Sequence, residues 1–165
     1  MSIDDALQFL REHQPLPPTD EIPDALLRRF NEVREFFVAN PDPRCVALLL
    51  NSFGEGDGHG VYQLVEDVIR AFPDEVVVTA LVASLRNAVG SVRYWSAEIA
   101  AIRPSPDLVE PLIELLNHGN LDERLAAVAA LEVLGTPKAR IAMERALITD
   151  DHDDVKSWIR EALDK

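Results

Sequence analysis

The sequence predicts an all-α protein, a right-handed α-α superhelix of about four helix pairs closed at its N-terminal end by a helical cap. Three observations carry that prediction. First, the chain resembles itself when shifted by 31 residues, so that Thr79–Leu85 falls on Glu110–Leu116 and, more loosely, on Ile141–Leu147. Leu81, Leu112 and Met143 then coincide, as do Leu85, Leu116 and Leu147. A fixed period of this size marks stacked units, none of which buries its apolar side alone. Second, the apolar share is 47% and comes mostly from Leu, Ala and Val, which suits helices packed on helices. Third, Leu125–Leu131 is apolar nearly all round, as a helix enclosed on several sides must be.

The elements follow in order. Ser2 is placed to cap a first helix running to about His13, with Asp4 and Asp5 at the positive end of its dipole. Pro15-Leu16-Pro17-Pro18 ends that helix and continues as a stiff connector. Leu26, Leu27, Phe30, Val33, Phe36 and Phe37 recur at helical spacing, which predicts a second helix over 23–39, stopped by Asn40-Pro41-Asp42-Pro43. Residues 1–43 fit the period poorly and are expected to be the cap. Residues 44–165 are expected to be one continuous domain of repeats.

Arg44–Phe53 matches Val76–Leu85 at a shift of 32 and is the first outer helix. After the glycines of 54–60, Val61, Leu64, Val65, Val68, Ile69 and Phe72 trace one face of its inner partner. Three more outer and inner pairs are predicted, over 74–87 and 91–103, 106–118 and 121–134, and 137–148 and 153–164. Val92-Arg93, Glu123-Arg124 and Val155-Lys156 open the inner helices at steps of 31 and 32, each followed by small residues.

The apolar runs Cys45–Leu50 and Leu125–Leu131 are too short to cross a bilayer, so no membrane association is expected. The acidic start Met1-Ser2-Ile3-Asp4-Asp5 does not resemble a secretory signal. Cys45 is the single cysteine and has apolar neighbours, so it reads as a core residue in a cytoplasmic protein. Charge is more pointed. Twenty-nine acids against 16 bases leave −13, concentrated in 1–24, 105–135 and 149–165. Such a surface repels a phosphate backbone, which argues against nucleic acid as a partner. It attracts a basic protein and speeds the encounter, while also serving solubility.

An outer helix, a short Asp-containing turn, then Val-Arg, small residues and a Leu resembles the HEAT-repeat family. The likeness extends to the short bacterial HEAT-like repeats named after phycobilin lyases. Leu112-Ile113-Glu114-Leu115-Leu116 through Asp122-Glu123-Arg124-Leu125-Ala126-Ala127-Val128-Ala129-Ala130-Leu131 carries the resemblance, with weaker copies at Val92–Ala100 and Asp154–Leu163. It covers about residues 74–165, reaches faintly over 44–72 and leaves out 1–43. Two departures stand out, Glu123 where Val is expected and Lys156 where Arg is usual. The resemblance implies a curved stack whose inner helices line a concave binding surface. It does not imply one function, since members serve as scaffolds, adaptors, inhibitors and, rarely, enzymes.

Partner-binding candidates are Asp57, His59, Tyr62, Glu66, Tyr94 and Glu98. Asp57 and His59 stand in the loop Gly54–Gly60, which fails both calcium-loop and phosphate-loop spacing and reads otherwise as a flexible connector. Tyr94 and Trp95 diverge by about 100° on an inner helix, so Trp95 is expected to be buried and Tyr94 more exposed. In the family, the basic row Arg93, Arg124 and Lys156 often bonds turn carboxylates of neighbouring repeats, and Asp122 and Asp153 are placed for that here. The run Asp150–Asp154 reads as an acidic turn whose aspartates cap the last helix. His13, His59, His118 and His152 are scattered without metal-ligand spacing, and no nucleophile motif is present, so neither metal, cofactor nor catalysis is expected.

These readings converge on a non-catalytic protein-binding module. Its sharper form is a bacterial immunity-type inhibitor that masks a basic toxin or nuclease. The alternatives are a general scaffold or adaptor for a non-basic partner, and a lyase-like enzyme. The sequence sets no oligomeric state.

Overall fold

The computed structural model describes residues 1–165, and all of its regular structure is helical. Ten α-helices form, most of them close to their expected bounds, and no helix is long and apolar enough to cross a membrane. The chain divides into two compact units, Met1–Ala80 and Leu81–Lys165.

In the first unit, α1 (Ile3–Glu12) begins with a reciprocal cap. The Ser2 hydroxyl accepts from the Asp5 amide, and the Asp5 carboxylate accepts from the Ser2 amide, both at 3.1 Å. Those hydrogen bonds hold the Asp5 carboxyl below its ordinary range. Helix α2 (Asp24–Ala39) buries Phe30, Val33 and Phe37, and α3 (Arg44–Asn51) buries Cys45, Val46, Leu49 and Leu50. Burial raises the Cys45 thiol to about 12, as befits a core residue. The expected inner helix over 61–72 is broken. A 3₁₀ turn at Tyr62–Leu64 precedes the five-residue α4 (Val65–Ile69). Helix α1 packs on α2 and α3, and α4 packs on α2 and α3, so the cap and the first hairpin share one core.

Tyr62 explains the break. Its hydroxyl accepts from the Gly54 amide at 3.2 Å, and its own amide donates to the Asp57 carbonyl at 3.4 Å. The start of the inner segment is thereby tied to the glycine loop. That loop is not the free connector expected. The Thr19 hydroxyl donates to the Glu55 carbonyl at 2.9 Å and accepts from the Gly58 amide at 2.9 Å, while the Thr19 amide donates to the Glu55 carbonyl at 2.8 Å. Gly58 has φ +57°, and a Cβ there would stand 2.6 Å from the Tyr62 ring. A Cβ at Gly54 would collide with the Leu16 carbonyl. Gly54 and Gly58 are present for close approach.

Helix α5 (Asp74–Ser84) carries the unit boundary within it. The second unit continues with α6 (Gly90–Ile102), α7 (Val109–His118, after a 3₁₀ turn at Pro106–Leu108), α8 (Leu121–Leu134), α9 (Pro137–Thr149) and α10 (Asp153–Leu163). Helix α8 packs against α6, α7, α9 and α10. Helices α6, α8 and α10 thus succeed one another in one layer, with α7 and α9 in the other, the arrangement of an α-α solenoid. Ala126, Ala127 and Ala130 are buried and small enough to let the neighbours of α8 come close. The period is legible in the core. Leu81, Leu85, Leu112, Leu116 and Met143 are all buried, and only Leu147 is half-exposed.

Candidate protein-binding surface

The inner helices present their free side in a regular stripe. On α6 the residues Tyr94, Glu98 and Ile102 recur every four positions and are half-buried or exposed, whereas Val92, Trp95, Ser96 and Ile99 are buried. Trp95 does point inward and Tyr94 outward. One period on, Leu125, Ala129 and Val133 hold the same places on α8, and Ser157 and Glu161 hold them on α10. Ile102 and Val133 are 50% and 54% exposed.

Tyr94 packs edge-to-face on Trp95, ring centroids 5.4 Å apart, which restrains the ring. Burial, then the charges of Glu98 and Asp122, hold its phenol above the ordinary range. Asp122 is exposed at the start of α8, next in the chain to the Glu123 that Arg93 of α6 holds. Glu98 is held above the usual carboxylate range by burial alone. Other acids on this side include Glu161 and Asp154, both exposed. Lys165 is occupied by Glu132 at 2.7 Å.

The arginines of the basic row are consumed at the seams between repeats. Arg93 donates from Nε and Nη2 to Glu123 at 3.1 and 2.9 Å, and from Nη1 to the carbonyls of Asn87 and Ala88 at 2.7 and 3.0 Å. Asn120 adds a third donor to Glu123, whose side chain is only 1% exposed. Arg124 reaches Asp150 and Asp151, each at 3.1 Å. The ladder thus forms, but Glu123, Asp150 and Asp151 are its acids in place of Asp122 and Asp153. Glu123, the departure from the family pattern, supplies the first rung. Beside that rung lies an open cleft of about 650 Å³ lined in part by Arg86, Arg93, Glu114 and His118. Arg86 and Glu114 close on each other as a fork at 2.7 and 2.8 Å, so both charges are already engaged.

The last helix is capped differently from expectation. His152 is its N-cap, accepting from the Asp154 amide at 3.3 Å, while Asp150 accepts from the His152 amide at 2.8 Å.

Of the expected binding residues, Tyr94 and Glu98 come together, one turn apart. Tyr62 does not qualify. It is 1% exposed, packed edge-to-face on Phe30 and Phe53, and its hydroxyl serves the backbone. Asp57, His59 and Glu66 lie in the first unit. Asp57 accepts from the His59 amide at 2.9 Å, His59 is exposed with φ +50°, and Glu66 is engaged by Arg70, whose Nε donates at 2.9 Å. No three of the His, Cys, Asp and Glu side chains converge as metal ligands.

The family model of HEAT repeats matches residues 78–164, more than half of the chain. The chain belongs to the HEAT-repeat family. No curated protein matches the sequence. HEAT repeats generally mediate protein–protein interaction, and the matched segment contains all three inner helices of the second unit. Asp122 and Glu123 both sit in the turn-to-helix junction of a repeat, where a carboxylate reads as a cap or as a partner for the basic row. The available signal was Glu123 in a place that the HEAT pattern reserves for an apolar residue.

Proposed function

We propose that this protein is a non-catalytic protein-binding module whose α6–α8–α10 face masks a basic partner, in the manner of an immunity-type inhibitor of a basic toxin or nuclease. One observation carries the reading: Glu98, Asp122 and Glu161 share that face with Tyr94, Ile102 and Val133, while Arg93 and Arg124 are spent on internal pairs. Carboxylates on a partly apolar face attract cationic side chains and repel nucleic acid. The net charge of −13 extends the attraction over the surrounding solvent at low salt. A cytoplasmic location is part of the same proposal.

Co-expression with the basic product of an adjacent gene tests it, followed by titration calorimetry at low and high ionic strength. The expected complex weakens steeply with salt, and Glu98→Lys together with Glu161→Lys abolishes it. Binding that ignores both salt and charge reversal sinks the inhibitor reading and leaves the scaffold for a non-basic partner, which the exposed Ile102 and Val133 would serve.

A further inference from the structure

We infer that Tyr94 and Glu98, one turn apart on the free side of α6, are the seat of one arginine side chain projecting from the partner. The inference rests on the protein-binding reading above. Four carboxylates in residues 81–165 are at least half-buried: Glu98, Glu123, Glu132 and Asp150. Glu123 holds Arg93, Asp150 holds Arg124 and Glu132 holds Lys165. Glu98 holds nothing, and burial is the sole influence acting on it. A carboxylate partly withdrawn from water without a cation bears part of that desolvation cost, which a cation arriving beside it offsets.

The surroundings select the cation. The Tyr94 ring is restrained by Trp95 one residue on, with the two planes 78° apart. A guanidinium can stack on that ring while its fork engages Glu98, and Asp122 contributes a second negative charge from α8. Arginine is also less strongly hydrated than lysine, which favours it where the seat is half-buried. Leu125 and Ala129, one period on from Tyr94 and Glu98, are apolar and partly exposed, which suits the methylene stem.

Three synthetic peptides test the seat on the full-length chain, each a neutral Gly/Ser heptamer with arginine, lysine or citrulline at its centre. Amide chemical-shift titration by NMR is the readout. The arginine peptide is expected to move the signals of Tyr94, Glu98 and Asp122 saturably, the lysine peptide to bind about threefold more weakly, and citrulline not at all. Glu98→Gln, which keeps shape and volume, should weaken the arginine peptide about tenfold. Tyr94→Leu should reduce its advantage over lysine. Unchanged spectral dispersion verifies that both variants fold. Equal binding by lysine or citrulline, or undiminished binding to Glu98→Gln, overturns the seat. A basic partner protein that still binds Glu98→Gln at full strength would overturn the seat alone. Shifts absent from α6, α8 and α10 even with that partner would overturn the broader reading as well.

Discussion

The two units hold their helices together by different means. In residues 1–80 the decisive polar contacts are irregular, namely Thr19 bridging the Glu55 carbonyl and the Gly58 amide, and the Tyr62 hydroxyl meeting the Gly54 amide. In residues 81–165 they recur, as Arg93 and Arg124 each reach forward from one inner helix to the carboxylates that introduce the next. The two arginines repeat with the sequence, 31 residues apart, so the second unit announces itself as a period. The first can only be found by folding it. The two rungs also differ from each other. Glu123 is sealed and carries three donors, whereas Arg124 divides itself between the buried Asp150 and the exposed Asp151.

The largest expected effect comes from breaking the sealed rung. Glu123→Ala leaves Arg93 without its partner and should cost about 3 kcal/mol in denaturant unfolding. Replacing Arg93 and Glu123 together with apolar residues should cost less than either single change, because no orphaned charge remains. In the second rung Asp150→Ala should cost about 2 kcal/mol, since it removes acceptors from both Arg124 and the His152 amide. Asp151→Asn on the same rung should leave the unfolding midpoint unmoved. A midpoint shift for Asp151→Asn as large as that for Asp150→Ala would erase the distinction between sealed and open rungs.

In the first unit, Thr19→Val keeps the shape of the side chain but removes both of its hydroxyl hydrogen bonds. About 1–2 kcal/mol should be lost, with faster exchange at the Gly58 amide. Slow exchange at Gly58 in that variant would show that the loop is held by packing.

The smallest effect concerns the carboxylate that lacks a rung. Burial raises the Glu98 pKa in the folded state, so the native protein holds that proton more tightly than the unfolded chain. Its contribution is therefore fully present below the unfolded value and is lost as pH rises through the folded one. Glu98→Gln should match the wild type in acid and be slightly more stable than it at neutral pH. A variant less stable at neutral pH would mean that Glu98 has an internal partner after all.

Most helices could be read from apolar spacing and punctuation, and α2, α8 and α9 fall within a residue or so of their expected bounds. The inner partner of the first hairpin could not. Val61–Phe72 has the right spacing, yet Tyr62 is drawn to a backbone amide eight residues earlier, and no local pattern records that attraction. The proposed binding face is half legible. Tyr94 was placed by helical geometry, Glu98 follows one turn later, and Asp122 joins them only because α8 stacks on α6.

Helical class, repeat period and the overall negative charge are properties of the order of residues, because amphipathic spacing and composition act locally or by simple summation. Which acid meets which arginine is another matter. Asp122 and Glu123 are neighbours in the chain, but adjacent helical positions diverge by about 100°. One consequently lies sealed against Arg93 and the other stands exposed to solvent. Only the packing of one hairpin on the next could assign those roles.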